Sequence, residues 1–134
     1  MSIPKSPPQN YTSSRQLIAG SDINNLSDRV CSFQTLTPTG ATQATAAPID
    51  AANVEIPAGA AAAGIRLPIS YPGAEVCVLN NSANTQNIYP GVGDQVQNAA
   101  NAYAAANAAV TAATNTSYIF ICIKKGFWQR TATS

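Results

Sequence analysis

Short runs of strand-forming residues dominate the chain from Thr42 onward, and turn residues separate them about every ten positions. Each turn contains a proline with a fixed φ, a glycine or asparagine that tolerates positive φ, or both. The gaps are too short for the helical crossovers of a parallel α/β fold. The sequence therefore predicts a mainly β domain with strands over residues 43–47, 53–56, 64–69, 74–80, 86–89, 94–97, 108–112, 117–124 and 127–131.

The segment 98–113 is ambiguous because it is rich in both alanine and asparagine. Alanine is the strongest helix former, so propensity alone predicts a helix. However, Asn101, Asn107 and Thr111 interrupt the alanines, and strands are predicted on both sides. Local propensity is a weak guide inside a β pattern, so we favour a loop followed by a strand.

The residues before Gly40 differ from the rest of the chain. Pro4, Pro7 and Pro8 favour extended backbone over helix or sheet. We therefore predict an N-terminal arm over residues 1–39, followed by one β domain over residues 40–134.

A short helix is predicted inside this arm, over about residues 21–30. Ser21 is a suitable N-cap, and Ile23, Leu26 and Val30 follow it at helical spacing. A helix of about three turns is marginal on its own. Its apolar stripe must therefore dock on its own domain or on a neighbour's.

Two predicted strands, 74–80 and 117–124, are apolar on both faces. Side chains alternate across a strand, so Cys77 and Leu79 oppose Val76 and Val78, and the three isoleucines of the second strand share one face. An antiparallel sheet with one solvent-exposed face usually shows a clean alternation of apolar and polar side chains, which these two strands lack. A small domain also has little room to cover both faces of a sheet with its own residues. The cover is either another subunit or the arm helix of the same chain. We favour another subunit, with a predicted oligomer interface of Ile23, Leu26, Val30, Ile119, Ile121 and Ile123.

The charge content supports this interpretation. Only 10% of the residues are charged, against roughly 25% in an ordinary soluble domain, which removes repulsion between copies. The net charge is +1 and the basic residues are scattered, so no nucleic-acid partner is predicted. Nothing near Met1 resembles a signal peptide and no apolar run reaches ~18 residues, so we expect synthesis in the cytosol and no membrane insertion.

The residue types needed for catalysis and metal binding are few. The chain has no histidine, which removes the commonest general base and the usual nucleophile pairs. Cys31, Cys77 and Cys122 are widely spaced, which favours buried free thiols over a disulfide framework or a zinc site. Glu55 and Glu75 are the least implausible carboxylate pair for a glycan hydrolase, although the acids are dispersed. We predict no catalytic residue, no metal, no cofactor and no enzyme activity.

Several turn and strand motifs follow one another in a characteristic order. They are IRLP from Ile65, PGAEVCVLN from Pro72, QNIYPGVGDQV from Gln86, YIFIC from Tyr118 and GFW from Gly126. In this order they resemble a family of small tailed-phage virion proteins of the capsid decoration, or cement, type. The resemblance covers about residues 52–130 and has a weaker echo in the helix predicted before it.

The resemblance implies an antiparallel β-sandwich or jelly-roll-like domain that forms a homotrimer on the capsid surface of the virion. Its partner would be the major capsid protein of a phage head, bound through the arm, with candidate contacts at Tyr11, Arg15, Leu17 and Ile18. The alternative is a tail-fibre or tailspike module that binds host-surface glycans. Its candidate aromatic platforms are Tyr71, Tyr89, Tyr103, Phe127 and Trp128, of which Trp128 is better explained as a core residue.

Overall fold

The computed structural model describes residues 32–133, which contain ten strands and no helix. A six-stranded sheet, sheet A, has the order β1-β3-β5-β9-β10-β7, and a four-stranded sheet, sheet B, has the order β2-β4-β6-β8. The predicted helix over residues 21–30 lies outside the described residues. The strands are β1 Phe33–Thr35, β2 Ala47–Pro48, β3 Asn53–Ile56, β4 Gly64–Arg66, β5 Glu75–Asn80, β6 Gln86–Tyr89, β7 Gln95–Val96, β8 Val110–Ala112, β9 Thr116–Lys124 and β10 Phe127–Thr133.

Successive strands alternate between the two sheets from β1 to β8. As a result β1, β3 and β5 are parallel neighbours in sheet A, while β2, β4 and β6 are parallel neighbours in sheet B. The first six strands thus wind as a coil with two strands per turn. A hairpin of β9 and β10 then completes sheet A between β5 and β7.

The predicted strand direction is wrong for most pairs. Five of the eight pairs are parallel, and only β5–β9, β9–β10 and β6–β8 are antiparallel. The prediction assumed that a parallel pair needs a helical crossover. Here a strand of the opposite sheet makes the crossover, which needs fewer residues. This connectivity also differs from that of a jelly roll, in which the strands are antiparallel.

The strand boundaries agree best where turn residues stand on both sides. Strands 53–56 and 86–89 match their predictions, whereas most of the predicted strand 43–47 is a turn. Thr42 and Thr45 close that turn through a hydroxyl–hydroxyl hydrogen bond of 2.8 Å and bonds to each other's backbone, which compete with strand pairing. Strand β1 was not predicted, and it lies before the expected domain boundary at residue 40.

The inner faces of the two sheets share one hydrophobic core, as a sandwich-like arrangement requires. Sheet A contributes Phe120 and Trp128 and sheet B contributes Ile65 and Ile88, all with no exposed surface. Because Trp128 is enclosed in this core, the prediction that it is a core residue is confirmed.

One end of the sandwich is closed by buried polar side chains between β5 and β6. Asn80 Nδ2 donates to the carbonyls of Asn84 and Ala112 at 2.9 Å each. The hydroxyl of Ser82 donates to Asn80 Oδ1 at 2.7 Å. A buried amide costs stability unless it is hydrogen-bonded, and these bonds allow the chain to cross between the sheets at this end.

The alanine- and asparagine-rich segment is a loop followed by strand β8, as favoured from the sequence. Asparagines make this loop irregular: Asn101 and Asn107 have φ values of 60° and 65°, which asparagine tolerates better than most residues. Asn98 Oδ1 accepts hydrogen bonds from the N–H groups of Ala100 and Ala102. These local contacts override the helical propensity of alanine.

Candidate functional site

The side of sheet A that faces away from the core carries several large apolar side chains. Strands β5 and β9 point Val76, Val78, Tyr118, Phe120 and Cys122 inward, where all five are buried. The alternate residues of the same strands point outward. We define the outer face of sheet A by its larger apolar side chains, Phe33, Cys77, Leu79, Ile119, Ile121 and Ile123.

The pairing register places these side chains in rows. Phe33 pairs with Asn53, Asn53 with Cys77, and Cys77 with Ile119, so one row crosses four neighbouring strands. Neighbouring strands lie about 4.8 Å apart, which brings adjacent members of the row into contact range. Cys77 and Ile119 are therefore direct neighbours, whereas Asn53 lies between Phe33 and Cys77.

The three isoleucines predicted from the sequence share this face. Ile119 is half-buried, Ile121 is 36% exposed and Ile123 is 53% exposed. Phe33, on the edge strand β1, is 64% exposed. The sequence reasoning missed Phe33 because it lies in a strand of only three residues, too short to show an alternation.

Polar side chains border the outer face. Glu75 pairs across the sheet with Ile121, and Glu55 pairs with Leu79. The Glu55 carboxylate accepts a hydrogen bond of 3.3 Å from Asn81 Nδ2. An apolar centre with a polar border is the usual anatomy of a protein–protein interface.

The two glutamates considered for catalysis are far apart. The register aligns Glu55 with Leu79, four residues along β5 from Glu75, which corresponds to roughly 13 Å along the strand. Paired glycosidase carboxylates lie about 5–9.5 Å apart. This pair therefore does not have the geometry of a glycosidase site.

The two described thiols lie on opposite sides of sheet A and are free. Cys77 is half-buried on the outer face, whereas Cys122 is buried in the core. Burial raises the pKa of the Cys122 thiol, which also donates to the Lys124 carbonyl. Residues 32–133 contain no group of three or more metal-ligating side chains and no helix that could cross a bilayer.

The aromatic candidates for glycan binding divide into buried and exposed side chains. Trp128 and Tyr89 are buried, and the Tyr89 hydroxyl donates to the Ala41 carbonyl at 2.7 Å. Tyr71 and Tyr103 are 47% and 39% exposed. Tyr103 packs edge-on against Phe127, at 5.2 Å between ring centroids, and the Lys124 ammonium lies 4.2 Å from the centre of the Phe127 ring.

The predicted arm contacts lie outside the described residues. They are Tyr11, Arg15, Leu17 and Ile18. Ile23, Leu26 and Val30, which belong to the predicted oligomer interface, also lie outside these residues.

Comparisons with known proteins assign no family. No protein-family model, no curated protein and no solved structure matches the chain.

Proposed function

We propose that this protein is a structural virion subunit, a homotrimeric decoration or cement protein of a phage head, which assembles through the outer face of sheet A. The observation that carries the proposal is the apolar character of that face, where Ile121 and Ile123 stay exposed. Contiguous apolar surface bordered by polar residues marks interaction sites on soluble proteins.

Burial of this face would supply the energy of association. An isoleucine side chain contributes about 1.5–3 kcal/mol when it moves from full exposure to full burial. Ile119, Ile121 and Ile123 are each partly buried already, so each contributes only part of this amount. Phe33 and Leu79 enlarge the same surface. The low charge of the chain leaves little repulsion to oppose the contact.

Attachment to the shell is assigned to the N-terminal arm. The resemblance supports this assignment, with the major capsid protein as partner and Tyr11, Arg15, Leu17 and Ile18 as the contacts. A trimer presents three arms, so weak individual contacts add up to a stable attachment. The proposal requires a two-sheet β domain and does not depend on jelly-roll connectivity.

The first experiment measures the mass of the full chain by size-exclusion chromatography with light scattering. We expect a trimer for the wild type and a monomer for the double substitution Ile121→Glu with Ile123→Glu, because two carboxylates would be buried in the interface. The matched control is Val92→Glu, which adds a charge at a side chain that is 83% exposed in a loop. A monomeric wild type, or a double variant that stays trimeric, would exclude this interface.

The second experiment tests attachment to the capsid. Purified heads that lack the protein are mixed with the full chain, and co-sedimentation is measured. Replacing Tyr11, Arg15, Leu17 and Ile18 by alanine should abolish co-sedimentation and leave the trimer intact. Undiminished binding by this variant would remove the arm from the attachment site.

A second candidate function is a fibre or tailspike module that binds host glycans. The observation that favours it is the exposure of Tyr71 and Tyr103, since aromatic rings that lie open to solvent can stack on sugars. Binding of the full chain to a glycan array, with loss of binding in Tyr103→Ala or Tyr71→Ala, would support this function over decoration.

A further inference from the structure

A cleft of about 460 Å³ lies at the end of the sandwich where the parallel strands β2, β4 and β6 of sheet B finish. One wall is the connection from β4 to β5, and the other is the turn from β6 to β7. Ile69 on the first wall and Val92 on the second are 79% and 83% exposed, the highest values for large apolar side chains within residues 32–133. The volume falls in the range of ligand pockets, about 300–1,000 Å³.

Asp94 lines this cleft and is buried, with 9% of its surface exposed. Its backbone is fixed, because its N–H donates to the Gly91 carbonyl and its own carbonyl accepts from the N–H of Asn107. Its carboxylate has no ion pair and no hydrogen bond with another residue of the range 32–133. A buried carboxylate without a partner is unfavourable, so pairing with a cation lowers its free energy.

Two further oxygen atoms lie beside this carboxylate. A Cβ on Gly91 would lie 3.1 Å from Asp94 Oδ2 and 3.6 Å from the Pro68 carbonyl oxygen, so both oxygens border the space that this glycine leaves open. The buried Ser70 hydroxyl accepts a hydrogen bond of 2.9 Å from the N–H of Gly126, which itself lies beside Asp94 Oδ1. A hydroxyl oxygen has a second lone pair. The cleft therefore offers one charged and two neutral acceptors.

Two basic residues also line the cleft, and neither pairs with Asp94. Arg66 Nη1 donates to the Gln43 carbonyl at 3.2 Å. Lys125 is exposed, so water and salt screen its charge more strongly than they screen a buried carboxylate. The least screened charge of the cleft is therefore the negative charge of Asp94.

These acceptors suit an organic cation better than a metal ion. Ca²⁺ takes about six to eight oxygen ligands, whereas the lining contains a single carboxylate. A lysine ammonium has three N–H donors, which matches the carboxylate, the carbonyl and the hydroxyl. Its carbon chain packs on apolar surface while its charged end makes polar contacts, and Ile69 and Val92 supply such a surface.

We propose that this cleft binds a lysine side chain of a protein partner, with the ammonium at Asp94, Pro68 and Ser70 and the carbon chain between Ile69 and Val92. The inference depends neither on the trimer nor on a phage head, because the cleft shares no residue with the outer face of sheet A. It gives the protein a second binding region at one end of the sandwich.

The test measures binding of a small probe to the full chain by NMR. Nα-acetyl-lysine methylamide is titrated into the protein, and the amide signals of Gly91, Gly93 and Gly126 are followed. We expect saturable binding, and at least about tenfold weaker binding of the norleucine derivative, which has the same carbon chain without the ammonium. No binding of the lysine derivative, or equal binding of the two, would overturn the proposal. Tighter binding of the arginine derivative would overturn the assignment to lysine.

Substitutions test the assigned atoms with the same probe. Asp94→Asn removes the charge with little change of shape and should weaken binding at least about tenfold. Gly91→Ala keeps the charge but fills the space beside Asp94 Oδ2 and the Pro68 carbonyl, so we expect binding at least about fivefold weaker. The matched control is Glu75→Gln, which removes an exposed carboxylate outside the cleft and should change the affinity less than about twofold. Unchanged affinity in Asp94→Asn or in Gly91→Ala would overturn the proposal.

Lys125 of the same chain is the competing occupant of the cleft. Lys125→Met should change the affinity for the lysine derivative by no more than about threefold, because Lys125 is exposed and its charge is screened. Binding that appears only in Lys125→Met would mean that Lys125 itself fills the cleft, and it would overturn the docking of a partner.

Discussion

The outer faces of the two sheets differ in how far other residues of the chain cover them. On sheet B the ring of Tyr89 lies against Gly64, and its hydroxyl donates to the Ala41 carbonyl of the loop before β2. The same loop accepts a hydrogen bond of 3.2 Å from Arg66 Nη1 at the carbonyl of Gln43. On sheet A, Ile121 and Ile123 of the outer face remain 36% and 53% exposed.

The difference shows which side of the domain is covered by residues of its own chain. Sheet B covers its outer face with an aromatic ring and a hydrogen-bonded loop of residues 39–46. Sheet A carries more large apolar side chains on its outer face, and Ile121 and Ile123 have no comparable cover among residues 32–133. A functional contact is therefore expected on sheet A, whereas substitutions on the outer face of sheet B should act on stability.

The largest effect expected from this comparison concerns Tyr89 and Ile121. Tyr89→Ala should lower the free energy of unfolding by about 3 kcal/mol, because it removes a buried ring, whereas Ile121→Ala should cost about 1 kcal/mol or less in the monomer. Both values come from urea denaturation at a protein concentration that gives monomer. Tyr89→Phe is the control for the hydroxyl, with an expected loss of about 1 kcal/mol. Equal losses in the free energy of unfolding for Tyr89→Ala and Ile121→Ala would mean that the two outer faces are covered to the same extent.

A smaller effect is expected at Gly64, beneath the Tyr89 ring. A Cβ at this position would lie 2.8 Å from Tyr89 Cε2 and 3.1 Å from Ala46 Cβ. Gly64→Ala should therefore destabilise the protein by about 1–3 kcal/mol through overpacking. The measurement is a double-mutant cycle with Tyr89→Ala, in which most of the Gly64→Ala penalty should disappear. A penalty that is unchanged without the ring would point to the backbone at residue 64 and not to the ring.

Local patterns in the sequence predicted individual strands well. The alternation along residues 117–124 placed Tyr118 and Phe120 on one face and Ile119 and Ile121 on the other, and the structure has the same division. This succeeded because alternation depends only on neighbouring residues of one strand. The outer face of sheet A could therefore be anticipated before the fold was known.

Two features could not be predicted from local patterns: the direction in which strands pair, and the burial of a side chain by residues that are distant in sequence. The parallel arrangement of β3 and β5 depends on the intervening β4 joining the other sheet, which no local pattern encodes. Tyr89 appeared suitable as a glycan platform, but its ring is buried because Gly64, far away in sequence, leaves room for it. Such contacts join residues through the fold and have no sequence signal of their own.

The smallest effect expected concerns Cys122, on the core side of sheet A. Burial raises the pKa of its thiol above the ordinary value of 9.0, so above about pH 9 the unfolded chain loses this proton more readily than the folded chain, and stability falls as the pH rises. The loss between about pH 8 and pH 10 should be about 1 kcal/mol or less. Urea denaturation at both pH values should show a smaller loss in Cys122→Ala than in the wild type. The same pH dependence in both proteins would assign the loss to other titrating groups and remove Cys122 as its source.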